Sequence, residues 1–213
     1  MLVCVCANAQ TSDSVIVNKL KERGVSFSHN NSVTLLATGR EKFEDMFQAI
    51  RNARHSIHLE YFNFRNDSIA RELFHLLEEK AQHGVEVRAL FDAFGNSSNN
   101  RPLKQRHLDT IRAKGVEIWI NHVLTRDHRK IVVIDGRIAY IGGMNVADYY
   151  IKGTEKVGSW HDMHCRLDGN EVNTLQRIFL KMWNKTTGQN VHGAQYYRGD
   201  YTDTSYFTGL KPD

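Results

Sequence analysis

Apolar residues recur at intervals of three and four along four segments of the chain, which is the spacing of an amphipathic helix. The first segment is the clearest, because Thr38 and Glu41 stand in capping-box spacing directly before it. Pro102 is typical of a helix start, and Gly84 and Gly115 are typical of helix ends. The predicted helices span 41–54, 68–83, Pro102 to Gly115, and 171–184.

Short apolar runs rich in β-branched and aromatic residues alternate with these helices and predict strands. The strand segments read SIHLEYF, VEVRALF, VEIWI, IVVI, RIAYI and DMHCRL. Alternation of this kind predicts an α/β fold, a sandwich in which helices flank a mixed β-sheet. Asp135-Gly136, between IVVI and RIAYI, is typical of a two-residue hairpin turn, which supplies an antiparallel part of the sheet.

The hairpin brings together several residues that can carry chemistry. Counting outward from a two-residue turn places Lys130 opposite Ile141 and His128 opposite Gly143. Because side chains alternate between the faces of a strand, His128, Lys130 and Asn145 are predicted to project from one face. This set provides a nucleophile or base, a cation, an amide donor and a glycine backbone without a side chain. Such groups together can bind a phosphate group and react with it. The pattern therefore predicts a phosphoryl-transfer site.

Asp135 lies at the far end of this hairpin. Seven residues of strand separate it from His128, which is a span of about 23 Å. The geometry therefore predicts a turn-forming residue that bonds to local backbone or to a neighbouring strand, and not a partner of the imidazole.

The motif H-x-K-x4-D-x6-G-G-x-N, which begins at His128, resembles the signature of the phospholipase D superfamily. Within that superfamily, residues 33–185 resemble the first half of a bacterial cardiolipin synthase. The matching segments are HLEYFNF, GVEVRALFDAFGN, NHVLTRDHRKIVVIDG, NVADYY, SWHDMHCRLDG and LQRIFLKMW. The resemblance implies a phospholipase D-like α/β sandwich. It also implies that the catalytic residues are His128, Lys130 and Asp135. The implied phosphate-binding residues are Gly143 and Asn145.

An imidazole nucleophile needs a carboxylate on its second nitrogen to fix the tautomer. Asp162 in SWHDMH is the first choice for this role, since the related enzymes also have Trp-x-Asp there. Glu60 in HLEYF is the second choice. Histidines are frequent around the motif, but none has metal-ligand spacing and the resemblance implies no metal. The chain also has no glycine-rich nucleotide loop, so no cofactor is expected.

The resemblance implies a double displacement in which His128 forms a phosphohistidine while Lys130 and Asn145 hold the phosphate oxygens. The implied substrate is phosphatidylglycerol at a membrane surface, and a phosphatidyl group passes to a second phosphatidylglycerol to form cardiolipin. A second imidazole must protonate the leaving alcohol. These synthases carry two motifs and this chain carries one, so we expect a second H-x-K-D domain in a missing half or in a homodimer.

Two other functions fit parts of the sequence. A single-motif phospholipase D-like phosphodiesterase or nuclease, acting as a homodimer, would explain the single motif and the net charge of +4. The Gly-Gly loop and the NVADYY and WHDMH flanks favour the lipid enzyme over nucleic acid as partner. A degenerate half-domain that only scaffolds a partner is disfavoured, because His128, Lys130 and Asn145 are intact.

The length of 213 residues and a hydrophobic content of 41% are typical of one domain with a substantial core. Residues 1–14 are interpreted as a clipped export leader or a disordered segment, 15–185 as the catalytic domain, and 186–213 as a tail or linker toward a missing half. The small residues Ala-Asn-Ala near the start resemble the end of a secretory leader. This interpretation favours a membrane-associated protein in the cell envelope or on its periplasmic face.

Overall fold

The computed structural model describes residues 12–122, 126–156 and 158–199, and within them seven strands form one mixed sheet. The strands lie in the order β1-β7-β6-β5-β2-β3-β4. Strands β2, β3 and β4 are parallel, and the remaining neighbours are antiparallel. Their bounds are β1 Asn31–Leu36, β2 Ser56–Tyr61, β3 Glu86–Asp92, β4 Glu117–Asn121, β5 Lys130–Ile134, β6 Ile138–Gly142 and β7 His164–Gly169. The predicted mixed sheet is confirmed.

Helices cover both faces of this sheet. Side chains from β2 alternate, so that Leu59 packs in the core beneath α2 and α3, whereas the ring of His58 stacks on Phe179 of α7. None of the helices in the described ranges is long and apolar enough to cross a bilayer. The helix bounds are α1 Ser12–Glu22, α2 Gly39–Arg51, α3 Ser68–Gln82, α4 Ala93–Ser97, α5 Gln105–Arg112, α6 Tyr149–Lys152 and α7 Glu171–Thr187, followed by a 3₁₀ turn at Ala194–Tyr196.

The predicted capping box at the start of α2 is present. The Thr38 side chain accepts a hydrogen bond from the Glu41 backbone, and the Glu41 carboxylate accepts one from the Thr38 backbone. Helix α5 begins at Gln105, three residues later than expected from Pro102, because Lys104 takes the cap position and its backbone N–H donates to the His107 ring. The cap chemistry therefore sets both helix starts.

Two elements near the N-terminus were not predicted. Helix α1 includes Ser12–Ser14, which fall in the segment interpreted as a leader or a disordered stretch, and the rest of that segment lies outside the described residues. Strand β1 buries only Leu36. A strand with five exposed positions has little apolar alternation, which is why the pattern did not reveal it.

The C-terminal boundary also differs from the prediction of a tail beginning at residue 186. Helix α7 continues to Thr187, and the Tyr196 ring is buried against the α7 face of the sheet. Further on, the Arg198 backbone N–H donates to the Asn173 side chain at 2.9 Å. The part of this segment that the structure describes therefore packs on the domain, and residues 200–213 lie outside the described ranges.

The hairpin turn forms where it was predicted. Asp135 and Gly136 both have positive φ angles, 53° and 60°, as a type I′ turn requires. The Arg137 N–H donates to the Ile134 carbonyl at 2.9 Å and closes the turn. Gly136 also packs closely on backbone, since a Cβ there would lie 2.3 Å from the Tyr196 carbonyl oxygen.

The predicted register of this hairpin is wrong by one residue. Ile131, and not Lys130, lies opposite Ile141, and Ile134 pairs with Ile138. Arg137 is an extra residue between the turn and the ladder, so the second strand is displaced by one position, as at a β-bulge. The opposition of His128 and Gly143 that followed from the predicted register is also absent, because β5 begins only at Lys130.

Candidate functional site

The motif residues lie at one edge of the sheet, where β2, β3, β4 and β6 end and β5 and β7 begin. The register shows this arrangement, since Tyr61 pairs with Lys130 and Gly142 pairs with His164. We call this border the motif edge. Loops that join parallel strands at such an edge commonly carry functional groups on a rigid support.

His128 is exposed at the motif edge, in the segment just before β5. Its ring lies against the Phe62 ring, with centroids 4.5 Å apart. Partial desolvation and the nearby Lys130 charge lower the pKa of His128, and the carboxylates of Asp92 and Asp127 oppose this effect. The imidazole is therefore neutral at physiological pH and has a lone pair available for attack on an electrophile.

Lys130 contacts the backbone of His128 from the start of β5. Its side chain is 3% exposed, and Nζ donates to the His128 carbonyl at 2.6 Å. Burial lowers the pKa of Lys130 to about 8, although the charges of Asp162 and Asp127 act in the opposite direction. The ammonium therefore keeps its charge at neutral pH, and its position is fixed beside the candidate nucleophile.

Asn145 is held by three contacts at the same edge. Its side-chain oxygen accepts from the Asn63 backbone at 2.9 Å, and its amide nitrogen donates to the Tyr150 hydroxyl at 3.3 Å. The Asn145 carbonyl accepts from Nζ of Lys42 at 3.2 Å. Asn63 follows Phe62, whose ring contacts His128, so Asn145 and His128 both contact the segment after β2. Convergence of the three side chains on one pocket remains a prediction. Phosphate binding by the amide remains a prediction.

Lys42 was missed by the sequence interpretation. It sits inside α2 and is fully buried, with Nζ 3.9 Å from the centroid of the Phe43 ring. Burial lowers the pKa of Lys42 well below its usual range. In the sequence, Lys42 stands between a charged and an apolar helix residue, as many exposed lysines do. No signal therefore indicated its burial.

Asp162 lies beside Gly143 and the two buried lysines. A Cβ at Gly143 would fall 2.0 Å from Oδ1 of Asp162, so this close approach requires glycine. The negative charge of Asp162 raises the pKa of both Lys42 and Lys130 against the effect of burial. No hydrogen bond joins Asp162 to the His128 ring in the described structure. Its contacts therefore suit charge compensation of the lysines better than orientation of the imidazole.

Glu60 projects toward the α7 face and contacts other partners. Its carboxylate lies 2.9 Å from Nη2 of Arg129, and Arg129 also donates to both carboxylate oxygens of Asp127, at 2.8 and 2.6 Å. Burial and the neighbouring Asp127 raise the pKa of Glu60. Burial alone would raise the pKa of Asp127 as well, but hydrogen bonds from Arg129 and Glu60 outweigh it and lower that pKa to about 2. The raised pKa favours the protonated form of Glu60, and the lowered pKa favours the ionised form of Asp127.

This acid pair holds the segment that carries His128. The Asp127 backbone N–H donates to the Asp92 carboxylate at 2.9 Å, and the same carboxylate caps α4 through Gly95. Residues on both sides of His128 are therefore anchored to the sheet. Among the described residues, Glu60 has no direct hydrogen bond to the His128 imidazole, and it contacts Arg129, the next residue in the chain.

Replacement of Glu60 by glutamine tests the raised pKa of Glu60. A protonated acid in the folded state contributes stability below its unfolded pKa, about 4.3, and this contribution is lost as pH rises toward the raised folded pKa. Glutamine does not titrate, so Glu60→Gln is expected to gain stability relative to the unmodified chain as pH rises from about 5 to 8. Thermal melts at several pH values measure this difference, with the exposed Glu44→Gln as control. A difference that is independent of pH would contradict the raised pKa of Glu60.

Asp135 is found at the turn, as the hairpin geometry predicts. Its carboxylate accepts three backbone hydrogen bonds at the start of β2, from Arg54 at 2.9 Å, His55 at 2.7 Å and Ser56 at 2.9 Å. It lies at the opposite end of β5 from the motif edge. The structure therefore separates the motif aspartate from His128 and Lys130, with which the resemblance groups it.

His164 is a second titratable group near the motif edge, at the start of β7. It is fully buried, and neither ring nitrogen has a hydrogen-bond partner among the described residues. Burial, with the charges of Lys42 and Lys130, lowers its pKa to about 2. A histidine that stays neutral throughout the physiological range cannot serve as a general acid.

These observations define the class. The helix-flanked mixed sheet carries the exposed histidine and the buried lysine of an H-x-K-D motif at one edge, which is typical of the phospholipase D superfamily. The family model described as "Cardiolipin synthase, PLD-like domain" matches residues 46–183. The chain belongs to this family.

Comparison with individual proteins agrees with this assignment. A cardiolipin synthase of Halalkalibacterium halodurans is 37% identical over 191 residues, which is 85% of this chain and 37% of that protein. Cardiolipin synthase 2 of Staphylococcus epidermidis is 39% identical over 183 residues, or 79% of this chain and 36% of that protein. The chain thus spans little more than a third of these relatives.

Among solved structures, the phospholipase D family member Nuc from Salmonella typhimurium matches with a TM-score of 0.56 at 17% sequence identity. The match covers 75% of this chain and 96% of Nuc. At this level of identity the likeness shows the fold alone, and the fold is that of a phospholipase D-like domain.

Proposed function

We propose that this chain is one catalytic half of a phosphatidyltransferase of the cardiolipin synthase type. The observation that carries the proposal is the exposed His128, whose pKa is lowered and whose backbone carbonyl accepts a hydrogen bond from the buried ammonium of Lys130. The proposed substrate is phosphatidylglycerol at a membrane surface, in the cell envelope, because the relatives of this sequence are named cardiolipin synthases. No cofactor takes part.

The reaction proceeds in two displacements at phosphorus. A ring nitrogen of His128 attacks the phosphorus of phosphatidylglycerol, the bond to the glycerol headgroup breaks, and glycerol leaves with a proton from a general acid. The headgroup hydroxyl of a second phosphatidylglycerol then attacks the phosphohistidine and loses its proton, and the phosphorus–nitrogen bond breaks to release cardiolipin. Lys130 and the Asn145 amide stabilise the negative charge on the phosphate oxygens in both steps.

The general acid is the second imidazole of a two-motif site. His164 cannot act as this acid, because burial keeps it neutral. A second H-x-K-D domain, from a further segment or from a second copy, supplies it. Three large apolar side chains near the motif edge are exposed and suit such a contact. They are Phe94 at 46%, Trp160 at 40% and Met163 at 54% exposure.

A concentration series tests this proposal. The purified chain is incubated with phosphatidylglycerol vesicles over a hundredfold range of protein concentration, and cardiolipin and glycerol are quantified. Specific activity is expected to rise with protein concentration, because the second imidazole arrives with a second copy. Phosphatidic acid as the main product would indicate a phospholipase, and cleavage of DNA without lipid turnover would indicate the single-motif nuclease.

The exposed His161 provides the control for this series. If a strict monomer shows concentration-independent activity that both His128→Ala and His161→Ala abolish, the acid belongs to the same chain and the two-motif requirement is wrong. If His161→Ala retains the concentration dependence, the second imidazole comes from another domain.

A further inference from the structure

A basic groove lies on the α7 face of the molecule, outside the catalytic arrangement. It is a cavity of about 430 Å³, and it combines four cations with two apolar side chains. Its lining residues are Arg129, Arg177, Ile178, Lys181, Met182 and Lys185. Arg177, Lys181 and Lys185 are four residues apart in sequence, so they form one stripe along the helix.

The basic groove is next to the motif edge. Helix α7 follows β7, which runs away from that edge, so α7 returns toward it and places its last turns there. Met182 confirms this placement, since its sulfur lies 3.4 Å from the side-chain nitrogen of Asn121 at the end of β4. Arg129 closes the groove one residue away from His128.

The groove carries excess positive charge. Lys181 and Lys185 are exposed, and neither has a salt bridge to any described residue. Glu171, at the first turn of α7, is the one acidic residue in the helix and lies more than two turns from Lys181. Arg129 is paired with the carboxyl groups of Asp127 and Glu60, so the two lysines supply the uncompensated charge.

We propose that the basic groove binds the phosphate of anionic phospholipid headgroups and thereby holds the motif edge against a membrane surface. The lysines match the phosphate charge, and Ile178 and Met182 between them suit the apolar part of a lipid. The choice of lipid over other polyanions rests on the proposed function. The groove is separate from the catalytic lysine, because Lys130 faces α2 and Arg129 faces α7.

Vesicle binding tests the groove without requiring turnover. The full chain is mixed with vesicles of phosphatidylcholine alone or with phosphatidylglycerol added, and bound protein is measured by flotation at low and high salt. Lys181→Gln with Lys185→Gln is expected to weaken binding to the anionic vesicles about 10- to 30-fold at low salt. Binding to neutral vesicles is expected to be unchanged, and high salt is expected to remove the difference.

The matched control is Arg40→Gln with Arg71→Gln, which removes two exposed positive charges from α2 and α3. Equal loss of vesicle binding in both double variants would overturn the proposal, since net charge and not the groove would then control binding. Loss of binding to a DNA oligonucleotide by the α7 variant, with vesicle binding intact, would also overturn it and indicate nucleic acid. Because His128 is unchanged in these variants, failure of lipid turnover with normal vesicle binding would instead count against the proposed function.

Discussion

His128→Ala is expected to lower cardiolipin formation at least about 10⁴-fold, because it removes the atom that forms the covalent bond to phosphorus. The same substitution is expected to change the melting temperature little. The His128 side chain is exposed, and its described packing contact is the Phe62 ring. Activity at high protein concentration and a thermal melt measure the two effects on one sample.

The control for this substitution is Arg126→Ala, because Arg126 is also exposed and lies in the same segment. Arg126 lies over the Phe94 ring at 3.7 Å and is expected to affect turnover far less. If His128→Ala retained a tenth of the activity or more, another residue would be the nucleophile. A large fall in melting temperature would instead show that the imidazole has a structural role.

Asp135→Ala is expected to cost about 2–4 kcal/mol in the free energy of unfolding. The substitution removes a charged acceptor of three backbone N–H groups at the start of β2, and it leaves those donors unpaired in a partly buried position. Alanine also tolerates the positive φ angle of 53° poorly. Urea denaturation measures the loss.

Asp135→Asn distinguishes a structural role of Asp135 from a catalytic role. Asparagine accepts the turn conformation and keeps one acceptor oxygen, so it is expected to lose less stability than alanine. If Asp135 acts through the fold alone, activity per folded molecule stays near that of the unmodified chain in both variants. Loss of activity at unchanged stability would restore the catalytic role that the motif resemblance implies.

Local sequence signals predicted the framework of the fold well. The capping box of Thr38 and Glu41 and the Asp135-Gly136 turn are set by neighbouring residues, so both could be identified without tertiary contacts. The hairpin register could not, because the extra residue at Arg137 lies between a correct turn and the ladder. A one-residue bulge leaves no periodic signal in a short strand.

The candidate site was predicted only in its motif positions. His128 and Lys130 carry their own spacing signal, and the structure brings them together. The burial of Lys42 and His164 arises from the packing of α2 on β7, which no local pattern encodes. The carboxylates that anchor the His128 segment were missed for the same reason, since Asp92 ends β3, Asp127 lies in the segment before β5, and the two meet only in the folded structure.

The covalent intermediate is the most direct test of the account. Concentrated protein is mixed with phosphatidylglycerol vesicles and quenched in alkali, which preserves phosphorus–nitrogen bonds, and the digested peptides are examined by mass spectrometry. A phosphatidyl or phosphoryl adduct is expected on the peptide that contains His128, absent from His128→Ala and present in His161→Ala. Steady cardiolipin formation with no adduct on His128, or with the adduct on another side chain, would contradict the account.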